Sequence, residues 1–315
     1  MRKPESGKRL FVELHNIYRP ITAAPFRSCE NYMEFEPCDA LKPYIRCFWG
    51  TRKAVRQKKR DAAVKEIVTP DTCMDIIFTA DFTNSKIESR FCGIDDRTYT
   101  VHNADKADRT FFSFAIRFYA WGAAVFAEES MRDTKNAFFN AGYHFPKIKK
   151  EMEKRLFDVT DICQFIPIVE DILLKRLSDR HKNGMVFQAI HTIVENRGNL
   201  RMTDLKREAL IGERQLERLF REYVGASPKS LASMVRYQYL WRDLIYNKAF
   251  DIQDAVYEYG YADQAHLCHD FKKYHSMNMA DAVKYAMRNV GNIQDANSRL
   301  WYDGWKIIGK GKKEL

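Results

Sequence analysis

Gln215-Leu-Glu-Arg-Leu-Phe-Arg-Glu-Tyr-Val-Gly-Ala-Ser-Pro228 describes one helix that stops and another that starts. Leu216, Leu219, Phe220 and Val224 fall at i, i+3, i+4 and i+8, a single apolar stripe at the helical period. Arg214, Glu217, Arg218 and Arg221 are left on the outward face. Gly225 supplies the stop. Ser227 can cap the next helix, and Pro228 suits its first position, where a missing N–H costs nothing. Upstream, residues 203–210 read as a short supporting helix, with Gly212 making the turn into the second. Helix, tight turn, helix is the expected order.

The same order recurs 51 residues later: Leu216 corresponds to Leu267, Phe220 to Phe271, Tyr223 to Tyr274 and Arg221 to Lys272. Leu205 and Ala209 correspond to Val256 and Gly260. In this second unit Asp251 can cap a helix over 252–259, Gly260 makes the turn, and Asp263 can cap 264–274. Leu267, Phe271 and Tyr274 then point inward, and Gln264, Ala265, His266 and His269 outward. Between the units, 229–247 reads as one helix. At ~1.5 Å per residue it spans ~28 Å, close to the ~34 Å between successive major grooves on one side of B-DNA.

These residues resemble the DNA-binding module of AraC/XylS-type transcriptional regulators. The resemblance rests on 215–228, on Ile252 to Asp263, and on Phe271-Lys-Lys-Tyr274. It implies base-reading positions at Arg214, Glu217 and Arg218 in the first unit, with Arg221 beside them. In the second unit it implies Gln264, Ala265, His266 and His269. Arginine can bond guanine in a bidentate pair, glutamine adenine, and glutamate can accept from cytosine. The chain departs from the family pattern where His269 replaces a usual Arg. It departs again where Ser276-Met-Asn-Met279 stands in place of Gly-x-Ser-Pro.

The N-terminal part reads differently. Phe112, Phe114, Ile116 and Phe118 alternate with Ser113, Ala115 and Arg117, the period-two pattern of a half-buried strand. Ile67–Val68 and Met74–Phe78 are short β runs around a turn at Pro70-Asp71, and Gly93 with Asp95-Asp96 marks another turn. Residues 1–60 look irregular and basic, with 52–60 an exposed loop. Helices are expected over 145–158 and 161–177. The second has Ile162, Phe165, Ile166, Val169, Ile172 and Leu173 on one face and Pro167 as a candidate kink. A polar linker at 178–184 follows. The fold class is therefore α+β: a β-rich domain over 1–145, linking helices over 146–182, an all-α double helix-turn-helix domain over 183–290, and a tail over 291–315 containing Trp301 and Trp305.

Leu41 to Trp49, Thr69 to Phe78 and Phe114 to Phe118 resemble the sensing domains attached to such regulators. That resemblance implies a cupin-like barrel or sandwich, a small-molecule effector, and dimerisation through adjoining helices. Trp49, Phe78, Phe114, Phe118 and Trp121 are the candidate pocket residues, set against the plainer reading that they fill a core. Arg117 is expected to pair with Asp75 rather than hold an anionic ligand.

Composition narrows the field. A net charge of +10 over 315 residues suggests a polyanionic partner, yet residues 185–290 carry only +2 and residues 1–60 carry +8. No apolar run approaches the ~18 residues of a membrane helix, and the N-terminus lacks an apolar signal core, so the cytoplasm is expected. Seven cysteines without a CxxC pair, and the scattered His15, His102 and His144, give no basis for a metal, a disulfide framework or a cofactor. The expected function is non-enzymatic regulation of transcription. Its partners are double-stranded DNA, a small-molecule effector, RNA polymerase and a second copy of the chain. The alternatives are an alkyltransferase-like DNA-repair enzyme, a thiol redox sensor using Cys38, Cys47, Cys73 or Cys92, and a protein-binding module that no longer binds DNA.

Overall fold

The computed structural model describes residues 14–21, 32–57, 64–103, 108–177, 183–209, 211–247 and 249–290. Among the described residues, the N-terminal region contains nine strands: β1 Met33–Phe35, β2 Ile45–Gly50, β3 Val55–Gln57, β4 Val64–Val68, β5 Cys73–Asp81, β6 Lys86–Cys92, β7 Tyr99–Asn103, β8 Arg109–Tyr119 and β9 Phe138–Asn140. Seven make an antiparallel sheet in the order β1-β2-β8-β5-β6-β9, with β3 also on β8, while β4 and β7 pair separately. The N-terminal region is β-rich as expected, and its described residues form one large sheet and one small ladder.

β8 is the central strand, and its alternation sorts the sheet into two faces. Cross-strand partners share a face, so Phe48 and Ile76 join Ile116, and Phe78 joins Phe114. This apolar face is covered by two helices, α3 (Pro146–Glu153) and α4 (Ile162–Leu174). Phe165 of α4 meets Phe114 edge-on at 5.1 Å, and Phe145 meets Phe91 at 4.9 Å. Two shorter helices, α1 (Ala123–Phe126) and α2 (Ala141–His144), flank β9.

Several expectations change here. The helix expected over 145–158 is α3 followed by a separate turn at Leu156–Asp158, and α4 runs through Pro167. The stripe of α4 (Ile162, Phe165, Val169, Ile172 and Leu173) is buried, with Phe165 on the sheet, and Ile166 is only partly covered. The helices placed in a linker therefore complete the N-terminal core, since amphipathicity reveals that a face is covered and not what covers it. Strands also occupy part of the region read as irregular. Ile45, Arg46, Cys47, Phe48 and Gly50 are all buried, so no alternation was visible there. Cys29, the basic residues 58–60, the linker residues 178–182 and the tail 291–315 lie outside the described residues.

Among the described residues, the C-terminal region contains seven helices: α5 Gly184–Glu195, α6 Met202–Ala209, α7 Glu213–Tyr223, α8 Pro228–Tyr246, α9 Ile252–Glu258, α10 Gln264–His275 and α11 Met279–Val290. α8 is the 19-residue connecting helix expected over 229–247, shifted by one residue. Among the described residues, no helix is long and apolar enough to cross a membrane.

The two regions share one core, and α8 lies at their junction. Gln238 is 3% exposed on this helix. Its Oε1 accepts from the Ile21 N–H at 2.8 Å, and its Nε2 donates to the Pro70 carbonyl at 2.6 Å. One turn of chemistry is thus satisfied from two separate N-terminal segments. The next residue, Tyr239, donates to the Ile17 carbonyl at 3.2 Å and packs its ring 5.6 Å from that of Tyr18. Gln238→Leu keeps the volume but orphans a buried donor and a buried acceptor. The expected loss is about 2–4 kcal/mol of unfolding free energy in a urea titration; a loss within experimental error would show that the amide does not join the two regions.

Candidate nucleic-acid interface

Three of the helices here start at side-chain caps that the sequence supplies. Leu216, Leu219, Phe220 and Val224 are buried on α7. Ser227 accepts from the Ser230 N–H at 3.1 Å to cap α8. Asp251 accepts from Gln253 and Asp254 N–H at 2.7 and 3.0 Å to cap α9, and Asp263 from His266 at 2.7 Å to cap α10. Leu267, Phe271 and Tyr274 are buried on α10. Gly212 is not a strained turn residue. It is the N-cap of α7 in extended backbone, φ −68°, with open space where a Cβ would sit. The supporting helix is α6; Leu210, the expected last residue of that helix, lies outside the described residues.

The ends of α7 and α10 obey the 51-residue offset in backbone as well as sequence. Gly225 has φ +75° and its counterpart Ser276 has φ +60°, both left-handed. Glycine adopts this conformation freely, and serine at some cost. At Gly225 a Cβ would also run into the Thr134 side chain and the Met131 carbonyl. Gly260, φ +65°, lies against the Asn199 side chain in the second turn.

All eight expected DNA-facing residues lie on α7 and α10. Arg214, Arg218 and Arg221 are exposed, as are Gln264, Ala265, His266 and His269, whereas Glu217 is half-buried. Arg218 pairs with Glu222 at 3.3 Å, an exposed i,i+4 contact of the kind that contributes little and exchanges readily. Lys206 of α6 reaches Glu213 at 2.8 Å, tying the supporting helix to the start of α7. In the second unit Gln264 accepts from Gln253 at 3.2 Å, and His266 sets its ring edge-on to Tyr261 at 5.3 Å. Asp270 accepts from Arg236 of α8 and from the Tyr261 hydroxyl, both at 3.0 Å, which locks this unit to the connecting helix.

The N-terminal region reaches both α7 and α10 at their C-terminal ends, where the last carbonyls have no partner within the helix. The Met131 N–H donates to the Glu222 carbonyl of α7 at 2.8 Å. The Thr98 hydroxyl donates to the Tyr274 carbonyl of α10. Sequence reasoning missed both contacts, since each joins residues about 90 or more positions apart with no local pattern. Arg132 and Asp133, next to Met131, line a groove of about 770 Å³ together with Glu213, Arg214, Glu217, Arg218, Arg221 and Ser227.

The five expected pocket residues do not converge. Phe78, Phe114 and Phe118 are fully buried on the apolar sheet face. Trp49 pairs with Ala115 and so lies on the opposite face. Trp121, beyond β8, stacks on Tyr119 at 4.6 Å and donates to the Pro43 carbonyl at 2.8 Å. Arg117 pairs with Asp75 as expected, in two bonds of 2.9 and 3.0 Å, and the Trp49 indole donates to the same carboxylate at 2.9 Å. Cys38, Cys47, Cys73, Cys92, Cys163 and Cys268 are free thiols. Burial pushes the Cys47, Cys73 and Cys92 thiols up, which disfavours the thiolate that redox sensing or alkyl transfer requires.

Two measurements test this geometry. His275 is buried with Nδ1 2.8 Å from the Tyr237 hydroxyl, and burial lowers its pKa to about 4. An imidazole whose pKa is depressed on folding stabilises nothing extra above its unfolded pKa and costs stability as the solution acidifies. Unfolding free energy should therefore fall by up to about 1.4 kcal/mol per pH unit between about 6.5 and 4, and His275→Gln should flatten that slope. Ser276→Gly should stabilise by about 1 kcal/mol by removing the left-handed penalty, seen as a raised melting temperature; a lowered one would show that the serine side chain is needed.

Residues 205–284 match a family described as a helix-turn-helix domain, a span that runs from within α6 to within α11 and holds both units. Residues 33–140 match a family described as a domain of unknown function, DUF6597. No curated protein matches the chain. Among solved structures it is similar to a probable AraC family transcriptional regulator from Rhodopseudomonas palustris CGA009, at 20% identity, covering 33% of this chain and 98% of that one, with a TM-score of 0.30. It is also similar to ToxT from Vibrio cholerae O395 bound to (E)-4-(8-methylnaphthalen-1-yl)but-3-enoic acid, at 14% identity, covering 77% of this chain and 99% of that one, with a TM-score of 0.38. A third is unsaturated fatty acid bound wild-type ToxT from Vibrio cholerae strain SCE256, at 13% identity over 75% and 94% of the two chains, with a TM-score of 0.36.

Proposed function

We propose that this chain is a DNA-binding transcriptional regulator of the AraC type, whose α7 and α10, both inside the matched helix-turn-helix span, enter successive major grooves on one side of a duplex. The observation that carries this reading is the matched pair of exposed polar faces on two helices anchored to the same connecting helix, α8. Arg214 and Arg218 are assigned to guanine edges, Glu217 to cytosine, Gln264 to adenine and Ala265 to a thymine methyl, with His266 and His269 beside them. Arg221, near the end of α7, is assigned to the backbone.

A small-molecule effector acting on the N-terminal domain would reach DNA binding through contacts already described. That domain holds α8 through Gln238 and the ends of α7 and α10 through Met131 and Thr98. A second copy of the chain and RNA polymerase complete the proposed set of partners, and the cytoplasm is the proposed location. The protein-binding alternative is less well supported, because the outward face of α7 is arginine-rich and carries no apolar patch to bury.

Binding of the full chain to an operator selected from random duplexes tests the reading. Arg218→Ala should weaken binding by about 1–3 kcal/mol and relax base preference at one position. Affinity should also fall steeply with added salt, as phosphate contacts release counterions. Salt-independent binding, or an Arg218→Ala variant with wild-type operator affinity, would count against it.

A further inference from the structure

The chain between α1 and β9 crosses the end of the first recognition helix, and we propose that it is a third DNA-contacting element in which Arg132 donates to a backbone phosphate beside the groove read by α7. This rests on the reading above that α7 enters the major groove.

The loop has a fixed place. The Met131 N–H is bonded to the Glu222 carbonyl at 2.8 Å, and Thr134 is fully buried with its hydroxyl on the Met131 carbonyl at 2.6 Å. Only a glycine at 225 leaves room for both. Asp96 then accepts from Lys135 and Asn136, each at 2.8 Å, and from the Ser230 hydroxyl of α8 at 3.4 Å. Asp133 and Asn136 adopt left-handed backbone, φ +64° and +55°, to follow this path. The loop and the helix are therefore one body, and Arg132 sits at a set position relative to α7.

The charge on that groove suits an anion. Arg132 is exposed and makes no ion pair among the described residues, and the same holds for Arg214 and Arg221. With Arg218 they place four guanidinium groups around one groove. Of the carboxylates there, Glu213 is already paired with Lys206, Glu217 is half-buried, and Asp133 is the exposed exception. A helix with its side chains is about 10–12 Å across and fills a major groove of about 12 Å. An element flanking the helix meets the sugar–phosphate strand and not the base edges. Phosphate contact by Arg132 is the chemistry that this position allows.

The test uses the full chain, with Arg132→Ala, Arg132→Lys and Arg218→Ala titrated against the selected operator and a scrambled duplex over a series of KCl concentrations. Loss of one phosphate contact should lower the salt slope by about 0.9 and the affinity about fivefold near ~0.15 M salt. Both duplexes should be affected alike, and Arg132→Lys should keep most of the wild-type slope. An unchanged slope with Arg218→Ala impaired overturns the proposal alone. Tighter binding by Arg132→Ala overturns it too, showing a loop that obstructs DNA. Wild-type binding by both alanine variants removes the underlying assignment of α7 as well.

Discussion

A helix buried around most of its circumference has no face to spare, and α8 is such a helix. Leu231, Ala232, Met234, Val235, Tyr237, Gln238, Tyr239, Leu240 and Trp241 are all buried. A purely apolar helix in that position could rotate or slide against its neighbours at modest cost. Gln238 prevents this, because its amide must meet the Ile21 N–H and the Pro70 carbonyl together. Breaking either bond leaves a buried polar group without water, a penalty of about 1–3 kcal/mol. The amide thus sets the rotation of α8, and α8 sets the positions of both helix-turn-helix units.

That constraint explains why the second unit persists despite its altered closing motif. Arg236 and Trp241 of α8 reach Asp270 and His275 of α10, and Tyr237 stacks near Tyr274 at 5.1 Å. The unit is held by its packing on α8, which tolerates a serine where the first unit has glycine. The first unit has less freedom at the same point. Any side chain at 225 would displace Thr134, so the identity of that residue is fixed by the other domain as much as by its own φ.

The C-terminal architecture was legible because its information is local. Apolar spacing, the caps Ser227, Asp251 and Asp263, and Gly225 and Gly260 all act within a few residues. The N-terminal sheet was legible only where one face differs from the other, as in β8. β2 is buried on both sides and gave no alternation, so it was missed. The aromatic residues expected to line a pocket are large and lie on or near strands, with Trp121 just beyond β8. Their faces depend on register, and register placed Trp49 across the sheet from Phe78 and Phe114. Loop 130–136 offered no signal at all, since its meaning lies in a contact with residue 222.

The two helix ends show how the domains are coupled. An α-helix leaves its last carbonyls unpaired, and here the partners for Glu222 and Tyr274 come from the N-terminal domain: a backbone N–H at Met131 and a hydroxyl at Thr98. The donors flank the Asp96 cluster, so both come from one short region of the N-terminal domain. Asp96 joins the segments 96–98 and 131–136 by accepting from Lys135 and Asn136, so one connected region holds the C-terminal ends of both α7 and α10.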